Sequence, residues 1–323
     1  MPVSIAINGF GRIGRQFYKL AAASPDLEVV AVNDLTDRET LLHLLKYDSV
    51  YGKFDSPSKT PQFLSEKDPS QLPWKKLGVA VVVESTGRFT ARGDAAGHLK
   101  AGAKKVIISA NSKDADLSVV LGVNHEQYDS GKHEVLANCS CTTNCAAPVV
   151  KVLDDQFGVV RAQLTTVHAY TSTQNLVDGP QKDLRRARAA ALSIIPTTTG
   201  AAKAVVQVLP QLKGKLDALA FRVPVACGSV IDLVAEVKKE VTVEEINRAF
   251  EKAAAGKLAG ILEYSEEPLV SADIVGSTLS AIFDAPLTRV VDGSLVKIVA
   301  WYDNEWAYAA RLVDLCKLVG GSL

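Results

Sequence analysis

Three cysteines lie within seven positions of one another in the segment NCSCTTNCAAP, residues 138–148. Their spacing, C-x-C-x-x-x-C at Cys139, Cys141 and Cys145, differs from the usual zinc spacings, and no second Cys/His pair lies nearby to complete four ligands. The sequence therefore predicts no metal site. Five cysteines in the whole chain is an odd and modest number, which argues against a disulfide framework. A single reactive thiol is the chemistry that this segment favours.

The position of Cys141 next to a predicted helix would make its thiol reactive. The segment TTNCAAPVVKVLDDQF predicts a helix that begins near Thr142, and the amino terminus of a helix lowers the pKa of a cysteine placed there. Cys145 lies one turn further on and is predicted to pack in the core. Pro148 leaves two alternatives, because a proline inside a helix removes a hydrogen bond. Either the helix is kinked at Pro148, or it begins there and the effect on Cys141 is weaker.

A thiolate nucleophile also needs a base, and His168 is the candidate. It ends the β-branched run VVRAQLTTVH and precedes the hydroxyl-rich segment AYTSTQN, so it lies where a strand meets a polar loop. The other four histidines lie in predicted helices or turns. From the residues alone two interpretations of His168 stay open: a catalytic partner of Cys141, or a structural histidine with its hydrogen bonds satisfied.

The amino-terminal residues predict a dinucleotide site. The apolar run VSIAI precedes NGFGRIGR and a helical segment, so Gly9, Gly11 and Gly14 form G-x-G-x-x-G between a strand and a helix. Such glycines let backbone N–H groups approach a pyrophosphate at the helix amino terminus. Asp34 ends the next predicted strand, 20 residues after Gly14, where a carboxylate binds ribose hydroxyls and repels a 2′-phosphate. The alternative is a glycine-rich turn in an unrelated α/β unit.

The elements that follow predict a parallel sheet with helices between its strands. Apolar runs at 79–85, 105–109 and 117–123 suit strands buried on both faces, and 37–48 and 94–103 read as helices. Ligands bind at the carboxyl ends of such strands. The segments that end or follow two of these strands, 84–89 and 109–113, are therefore candidate cofactor loops, although each is equally well explained as a plain turn. The Pro-rich segment Phe54–Pro73 is predicted to be a surface loop.

The second half predicts a different sheet. Its strands are RAQLTTVH, DALAFRVP, GSVIDLVAEV and SLVKIVAWY, which form an antiparallel set, and its helices include AAKAVVQVL and VEEINRAFEKAAAG. Thr242 and Glu245 have the spacing of a capping box at the second helix. The predicted fold class is α/β: a Rossmann-type dinucleotide-binding domain plus an α+β catalytic domain with an antiparallel sheet, at about residues 141–304.

The composition argues against some classes of protein. Lys+Arg and Asp+Glu both number 36, so the formal net charge is zero and gives no support to nucleic-acid binding. No stretch approaches the roughly 18 apolar residues of a membrane span. The opening MPVSIAINGF lacks the basic start and long apolar core of a signal peptide. The expectation is a cytoplasmic protein.

Several motifs together resemble phosphorylating glyceraldehyde-3-phosphate dehydrogenase along essentially the whole chain. They are INGFGRIGR, NDLTD, STGR (85–88), SCTTNC (140–145), TTVHAYT (165–171), TGAAKAV (199–205), FRVP (221–224) and WYDNEW (301–306). The resemblance implies an NAD-dependent enzyme of glycolysis and gluconeogenesis, in which the C-terminal helix returns to the first domain. The implied domains are thus 1–140 with 305–323 for NAD binding, and 141–304 for catalysis.

The resemblance also implies roles for particular residues. Cys141 is the nucleophile and His168 the base. Around the attacking phosphate lie Ser140, Thr142, Thr199, Gly200 and Arg222. The substrate's own C3 phosphate is held by Thr171, Thr173 and Arg222, with Arg186 assisting. Cofactor contacts are implied or predicted for Asn8, Gly9, Phe10, Gly11, Arg12, Ile13, Gly14, Asp34, Lys67, Thr86, Ser109 and Asn304, the last at the nicotinamide amide.

Two departures from the family pattern concern the adenine side. Roughly a dozen residues of a usual hairpin-containing segment are absent near 54–62, and Lys67 stands where an arginine is common. The implied partners are glyceraldehyde 3-phosphate and inorganic phosphate. The implied assembly is a homotetramer, in which the segment SIIPTTTG and the loop from Thr171 to Arg188 contact neighbouring subunits. Two alternatives stay open: an erythrose 4-phosphate dehydrogenase, and a non-enzymatic protein that uses the dinucleotide fold as a scaffold.

Overall fold

The structure, a computed structural model, describes residues 1–55 and 60–323, which form two compact units. Unit 1 comprises Met1–Leu121, His125–Ser140 and Tyr308–Leu323, and unit 2 comprises Gly122–Asn124 and Cys141–Ala307. The sequence predicted a cofactor-binding domain of residues 1–140 with 305–323 and a catalytic domain of residues 141–304. This assignment of functions to two parts of the chain stays a prediction.

Unit 1 is built on a parallel sheet. Its strands are β1 (Val3–Asn8), β2 (Leu27–Asn33), β5 (Gln62–Leu64), β6 (Val81–Glu84), β7 (Lys105–Ile108), β8 (Leu117–Ser118) and β9 (Val135–Ala137), beside a separate hairpin of β3 (Tyr47–Asp48) and β4 (Gly52–Lys53). The sheet order is β5-β2-β1-β6-β7-β9-β8, and each neighbouring pair is parallel. β2 and β5 lie on one side of β1, and β6, β7, β9 and β8 lie on the other, so the strand order reverses at β1. Ligands bind at such a switch point, beyond the carboxyl ends of the strands.

The helices of unit 1 are short except for the first and last. They are α1 (Arg12–Ala22), α2 (Arg38–Lys46), α3 (Trp74–Leu77), α4 (Arg92–Ala95), α5 (Gly97–Lys100) and most of α9 (Trp306–Gly320). Core side chains on one side of the sheet, among them Ala6, Ala31, Val82 and Trp74, form one buried cluster. Asp37 caps α2 by accepting a hydrogen bond from Thr40 N.

The sequence prediction for unit 1 needs three corrections. The run 117–123 forms a strand only at Leu117–Ser118, since the chain leaves the sheet before Gly122, whose φ is +79°. The predicted helix 94–103 is instead two short helices, α4 and α5. The predicted surface loop Phe54–Pro73 contains β5, which pairs with β2, and a 3-10 turn at Pro69–Gln71. Residues 56–59 of that loop lie outside the described part of the chain.

Unit 2 contains a second, mixed sheet. Its strands are β10 (Val159–Ala169), β11 (Ile195–Thr198), β12 (Leu216–Val223), β13 (Ser229–Val237), β14 (Leu262–Ser265), β15 (Ala281–Asp284), β16 (Arg289–Val291) and β17 (Leu295–Tyr302). Its helices are α6 (Cys141–Phe157), α7 (Ala201–Val208) and α8 (Val243–Ala255). The sheet order is β11-β12-β10-β13-β17-β15-β14, with β16 beside β17.

The prediction of an antiparallel set was wrong for one of its pairs. β10 and β12 run parallel, with His168 opposite Arg222, whereas β10, β13 and β17 pair antiparallel as predicted. The capping box at α8 is confirmed, since Glu245 N donates to Thr242 Oγ1 and Thr242 N donates to the Glu245 carboxylate.

Candidate active site

Cys141 is the first residue of α6, so the amino end of a 17-residue helix lies at its thiol. Pro148 is inside this helix, which settles the alternative left open by the sequence: the helix begins at Cys141 and continues through the proline. Cys141 is partly exposed, whereas Cys145 is buried, with its thiol near the carbonyl of Ala300. Cys141 therefore lies where a thiol can react, whereas Cys145 packs in the core.

The strand β10 brings His168 to this helix end. His168 Nε2 lies 3.4 Å from Cys141 Sγ, and Nδ1 lies 2.7 Å from the carbonyl oxygen of Ala169. When Nδ1–H donates to that carbonyl, Nε2 is left as the acceptor for the thiol proton. The pair is thus in the arrangement that a thiol and its base require.

Arg222 approaches the same ring from the neighbouring strand. Its Nη1 donates to the carbonyl oxygen of Ala169 at 2.9 Å and lies 2.7 Å from His168 Nδ1. Because a guanidinium can only donate, His168 accepts from Arg222 only in the tautomer with its proton on Nε2; in the tautomer that acts as base, Nδ1–H and Arg222 share the Ala169 carbonyl as acceptor. Burial, and after it the positive charge of Arg222, lower the pKa of His168 to about 3. Burial raises the pKa of the Cys141 thiol, against the charge of Arg222 and the N–H of Thr142, which lower it.

Burial disfavours both an isolated thiolate and an isolated imidazolium. Proton transfer within the pair is therefore favoured over ionisation of either partner alone. Moving a proton from Sγ to Nε2 leaves the pair without net charge, so it avoids the full cost of burying one isolated charge. The positive charge of Arg222 then stabilises the thiolate, since it lowers the pKa of Cys141. The arrangement can add a thiolate to a carbonyl carbon and take up a proton beside it.

Tyr302 supports both partners and was not among the predicted site residues. Its hydroxyl lies 2.9 Å from Thr142 Oγ1 on α6 and 2.9 Å from Thr166 Oγ1 on β10. Its ring also meets His168 edge-on, with ring centroids 5.9 Å apart. The sequence signal was its place in WYDNEW, at the end of an apolar strand.

The other predicted phosphate-binding residues of unit 2 lie in three further groups. Thr171 Oγ1 and Thr173 Oγ1 are 2.8 Å apart, and among the described residues no hydrogen bond joins them to Arg222. Arg186 donates to Thr197 Oγ1 at 2.9 Å and faces Asp183. Gly200 directly precedes α7, and Thr199 Oγ1 accepts from Ala201 N, so this pair lies at a helix amino terminus.

Asn304 Oδ1 accepts hydrogen bonds from Ser229 Oγ at 2.8 Å and from Gly228 N at 3.2 Å. These contacts fix the orientation of its amide group. Ser140, the last residue of unit 1 before α6, is half-buried.

A cleft of about 520 Å³ opens in unit 1 at the switch point of the sheet. Six predicted cofactor residues line it: Asn8, Gly9, Gly11, Asp34, Lys67 and Thr86. Gly9 has a φ of +94°, and a Cβ there would lie 2.5 Å from Thr86 N, so only glycine lets the two loops approach. The cleft fits the adenosine diphosphate half of a dinucleotide, because it joins a glycine loop at a helix amino terminus with a carboxylate beyond the next strand.

The predicted acid of the cleft also holds the glycine loop. Asp34 Oδ2 accepts from Phe10 N at 2.7 Å, and Oδ1 accepts from Thr36 N at 2.9 Å. A carboxylate oxygen accepts more than one hydrogen bond, so both can still receive ribose hydroxyls. Arg38, the first arginine after Asp34 along the chain, is exposed and lies over the ring of Phe63, 5.6 Å from its centroid.

Five other predicted cofactor residues of unit 1 lie outside the lining of this cleft. Phe10 is buried against Tyr18, Arg12 donates to Asp48 at 2.8 Å, and Ile13, Gly14 and Ser109 complete this set. The lining residues that the sequence reasoning missed are Asn33, Leu35, Thr36 and Glu66, whereas Ser85, Arg88 and Phe89 belong to the predicted loop 84–89. The missed residues are chain neighbours of Asp34 and Lys67, which was the available signal.

Two general features bear on the class of site. Among the residues that the structure describes, no group of three or more His, Cys, Asp or Glu side chains is arranged to hold a metal ion. Within the same residues, no helix has the length and apolar character needed to cross a membrane.

Comparison with known proteins gives matches over both units. The family model for the NAD binding domain of glyceraldehyde 3-phosphate dehydrogenase matches residues 3–92, and the model for its C-terminal domain matches residues 140–304. The glyceraldehyde-3-phosphate dehydrogenase of Geobacillus stearothermophilus is 59% identical over 99% of this chain and 98% of its own length. That of Mycobacterium avium is 57% identical over 100% of both chains. Glyceraldehyde-3-phosphate dehydrogenase 1 of Bacillus subtilis is 56% identical over 99% of this chain and 98% of its own.

Proposed function

The chain belongs to the glyceraldehyde-3-phosphate dehydrogenase family, and on that premise we propose that it converts D-glyceraldehyde 3-phosphate and inorganic phosphate to 1,3-bisphosphoglycerate. The observation that carries the proposal is the 3.4 Å approach of Cys141 Sγ to His168 Nε2, with Arg222 at the other ring nitrogen. We assign NAD binding to residues 1–140 with 305–323, and catalysis to residues 141–304.

The reaction begins with a bond between sulfur and carbon. The Cys141 thiolate adds to the aldehyde carbon, and the carbonyl oxygen takes a proton, which gives a thiohemiacetal. His168 Nε2 then removes the hydroxyl proton as the carbon loses hydride, and a thioester remains on Cys141. NAD⁺, when bound, supplies the hydride acceptor. A phosphate oxygen attacks the thioester carbonyl, the carbon–sulfur bond breaks, and the acyl phosphate leaves with the thiolate restored.

The two phosphate groups need separate donors. For the attacking phosphate we propose Ser140, Thr142, Thr199, Gly200 and Arg222, supported by the position of Thr199 and Gly200 at the start of α7. For the C3 phosphate we propose Thr171, Thr173 and Arg222, supported by the paired threonine hydroxyls, with Arg186 assisting. Hydroxyls and a guanidinium suit a phosphate because both can donate hydrogen bonds to its oxygens and the guanidinium adds positive charge.

The cofactor contacts are likewise proposed residue by residue. The proposed contacts are Asn8, Gly9, Phe10, Gly11, Arg12, Ile13, Gly14, Asp34, Lys67, Thr86, Ser109 and Asn304. Asn304 is assigned to the nicotinamide amide, since its own carbonyl oxygen is occupied by Ser229 and Gly228 and its amide nitrogen is the end that donates.

The test is a steady-state assay of the purified chain. We expect turnover with glyceraldehyde 3-phosphate, inorganic phosphate and NAD⁺, and loss of sustained turnover when phosphate is omitted. Preferred turnover of erythrose 4-phosphate without phosphate would overturn the proposal in favour of the erythrose enzyme. A protein that binds NAD⁺ and turns over neither sugar would favour the scaffold alternative.

A homotetramer in the cytoplasm is the finer part of the proposal. Large apolar side chains stay exposed in one segment of unit 2: Leu176, Val177, Leu184, Leu192 and Ile194, with Leu192 at 85% exposure. Such a group marks a protein interface. Light scattering should give the mass of four chains, and Leu192→Arg should lower it. The control Val270→Arg changes an exposed apolar side chain elsewhere in unit 2. A monomeric mass for the unaltered chain would contradict the assembly.

A further inference from the structure

A buried polar chain lies beneath the cofactor cleft of unit 1, and its centre is Glu84. The strands β2, β1 and β6 end in register, so Asn33, Asn8 and Glu84 form a row across the carboxyl edge of the sheet. All three are buried, with Glu84 only 1% exposed. Asn8 and Asn33 line the cleft, whereas Glu84 does not.

Both carboxylate oxygens of Glu84 are filled by donors from different elements. Oε1 accepts from the backbone N–H of Thr86 at 2.9 Å and from the Thr86 hydroxyl. Oε2 accepts from Asn8 Nδ2 at 2.5 Å and meets His98 Nε2 at 3.0 Å. Glu84 therefore holds two residues of the cleft, Asn8 and Thr86, through a single side chain.

The contact with His98 has a defined direction because of Trp74. Trp74 Nε1–H can only donate, and it lies 3.0 Å from His98 Nδ1, so Nδ1 must accept. The neutral ring then carries its proton on Nε2 and donates it to Glu84. Trp74 and His98 are fully buried, so the Glu84 carboxylate also accepts a hydrogen bond from the core of unit 1.

The chain continues from Asn8 to the far side of the cleft. With Asn8 Nδ2 committed to Glu84, its Oδ1 faces Asn33 and accepts from Asn33 Nδ2 at 2.7 Å. Asn33 also accepts from Glu66 N at 2.8 Å and donates to Glu66 O at 2.9 Å. One orientation of each amide satisfies the whole chain, from Trp74 to Glu66.

We propose that Glu84 is a positioning residue for the dinucleotide: it sets the orientation of Asn8 and Thr86, and through Asn33 the position of Glu66 beside Lys67. The inference rests on dinucleotide binding by unit 1 and is independent of the sugar that unit 2 uses. Glu84 itself touches no cofactor atom in this assignment. Its replacement should weaken binding of the adenosine diphosphate half and leave the thiol chemistry of unit 2 unchanged.

The test is calorimetric binding of ADP-ribose and of NAD⁺ to Glu84→Gln. The amide nitrogen of the new side chain would face donors at one of the two oxygen positions, so a hydrogen bond is lost and two donors meet. We expect the ADP-ribose Kd to rise roughly tenfold or more. The rate of Cys141 alkylation without cofactor should stay at the wild-type value.

The matched control is Asp116→Asn in the same unit. Asp116 also accepts from several donors, namely Arg92 and the backbone N–H groups of Glu134 and Val135, and it lies outside the cleft lining. The control should lower the melting temperature and keep the ADP-ribose Kd. An equal rise of Kd in both variants, or no rise in a folded Glu84→Gln, would overturn the proposal.

A rescue separates positioning from general damage. In the double variant Asn8→Asp with Glu84→Gln, the carboxylate moves to position 8. There it accepts from the new amide at position 84 and from His98 Nε2, which is 3.4 Å from the present Asn8 nitrogen. We expect the Kd to return part of the way, and simple additivity of the two substitutions would overturn the network.

A milder variant decides the matter if Glu84→Gln fails to fold. Trp74→Phe removes the N–H that fixes the His98 tautomer and keeps an aromatic ring in the core. Freed from that bond, the imidazole can turn its unprotonated nitrogen towards Glu84. A rise of the ADP-ribose Kd by roughly twofold to fivefold is expected, and an unchanged Kd would overturn the proposal.

Discussion

Arg222 Nη1 lies 2.7 Å from His168 Nδ1, while His168 Nε2 lies 3.4 Å from Cys141 Sγ. One imidazole thus connects the nucleophile to the arginine that we assign to both phosphates. The charge of Arg222 lowers the pKa values of both His168 and Cys141. The arginine that we assign to the phosphates therefore also tunes the protonation of the cysteine–histidine pair.

Arg222→Gln should move the pH dependence of thiol reactivity. Since the arginine lowers both pKa values, its removal raises both, and the first proton leaves the pair at higher pH. The acid limb of alkylation by the uncharged reagent iodoacetamide should shift upward. Arg186→Gln, which leaves the ring contacts of His168 intact, serves as the control. A downward shift in Arg222→Gln would contradict this electrostatic assignment.

Cys141→Ser should abolish acyl-enzyme formation while the fold and NAD binding persist. A serine hydroxyl at the same place is a much weaker nucleophile than a thiolate. Cys145→Ser should cost far less, because Cys145 is buried and faces a backbone carbonyl. Burst kinetics and cofactor titration of the two variants measure both effects. Near-normal turnover in Cys141→Ser would rule out the covalent mechanism.

His168→Asn should lower turnover about 10²- to 10⁴-fold, the usual range for loss of a general base. The variant should also be less reactive to alkylation near neutral pH, because no imidazole is left to take up the thiol proton. Rates of turnover and of alkylation measured side by side check both effects. Unchanged values of both would count against the pair.

The same substitution should alter acid stability. The pKa of His168 is about 3 in the fold against 6.5 when unfolded, so between these values the unfolded chain binds more protons and stability falls with falling pH. The loss from this group between pH 7 and pH 4 is on the order of 3 kcal/mol. Urea unfolding should show a smaller acid loss in His168→Asn. An equal loss in both proteins would mean that the ring protonates freely in the fold.

Asp34 should set a large preference for NAD⁺ over NADP⁺. The carboxylate gains hydrogen bonds from ribose hydroxyls and repels a 2′-phosphate, and Arg38 lies over Phe63 instead. Each 1.4 kcal/mol of lost contact and added repulsion corresponds to roughly tenfold in kcat/KM. Asp34→Ala should shrink the ratio by admitting NADP⁺, and it should also weaken NAD⁺ binding, since Phe10 N loses its acceptor. A wild type that uses both cofactors equally would refute the assignment.

Gly9→Ala and Gly11→Ala should fail in different ways. Position 9 has a φ of +94° and a Cβ there would meet Thr86 N, so the alanine costs about 1–2 kcal/mol in backbone strain and displaces a loop. At Gly11 a Cβ meets nothing within 4 Å, and that space is the cleft itself. Gly9→Ala should lower the melting temperature, whereas Gly11→Ala should fold normally and bind ADP-ribose more weakly. Equal melting temperatures for the two variants would contradict this distinction.

The sequence predicted where several residues lie in the fold, because local motifs mark the ends of elements. The glycine loop and Asp34 follow strands, Cys141 begins a helix and His168 lies one residue before the end of β10, and such ends can be recognised from a few adjacent residues. The direction of β12 could not be read, because alternation of apolar side chains is the same in parallel and antiparallel strands. β5 was missed because three residues in a Pro-rich segment gain strand structure only from pairing with β2.

The buried network under the cleft shows a second limit. His98 read as an ordinary helical histidine, since its partners Glu84 and Trp74 are 14 and 24 residues away in the chain. Their meeting depends on β6, α3 and α5 packing together. A local pattern contains no information on which buried polar groups will satisfy one another.

The burial of four of the five cysteines has a practical consequence for measuring the concentration of active sites. Cys139, Cys145, Cys227 and Cys316 are buried, and only Cys141 is partly exposed; burial raises the pKa of Cys139 to about 12. In the native protein one thiol per chain should thus react quickly and four should react only on unfolding. A stopped-flow thiol titration would then give the concentration of competent active sites directly, and the ratio of fast to total thiol would report the fraction of each preparation that is correctly folded.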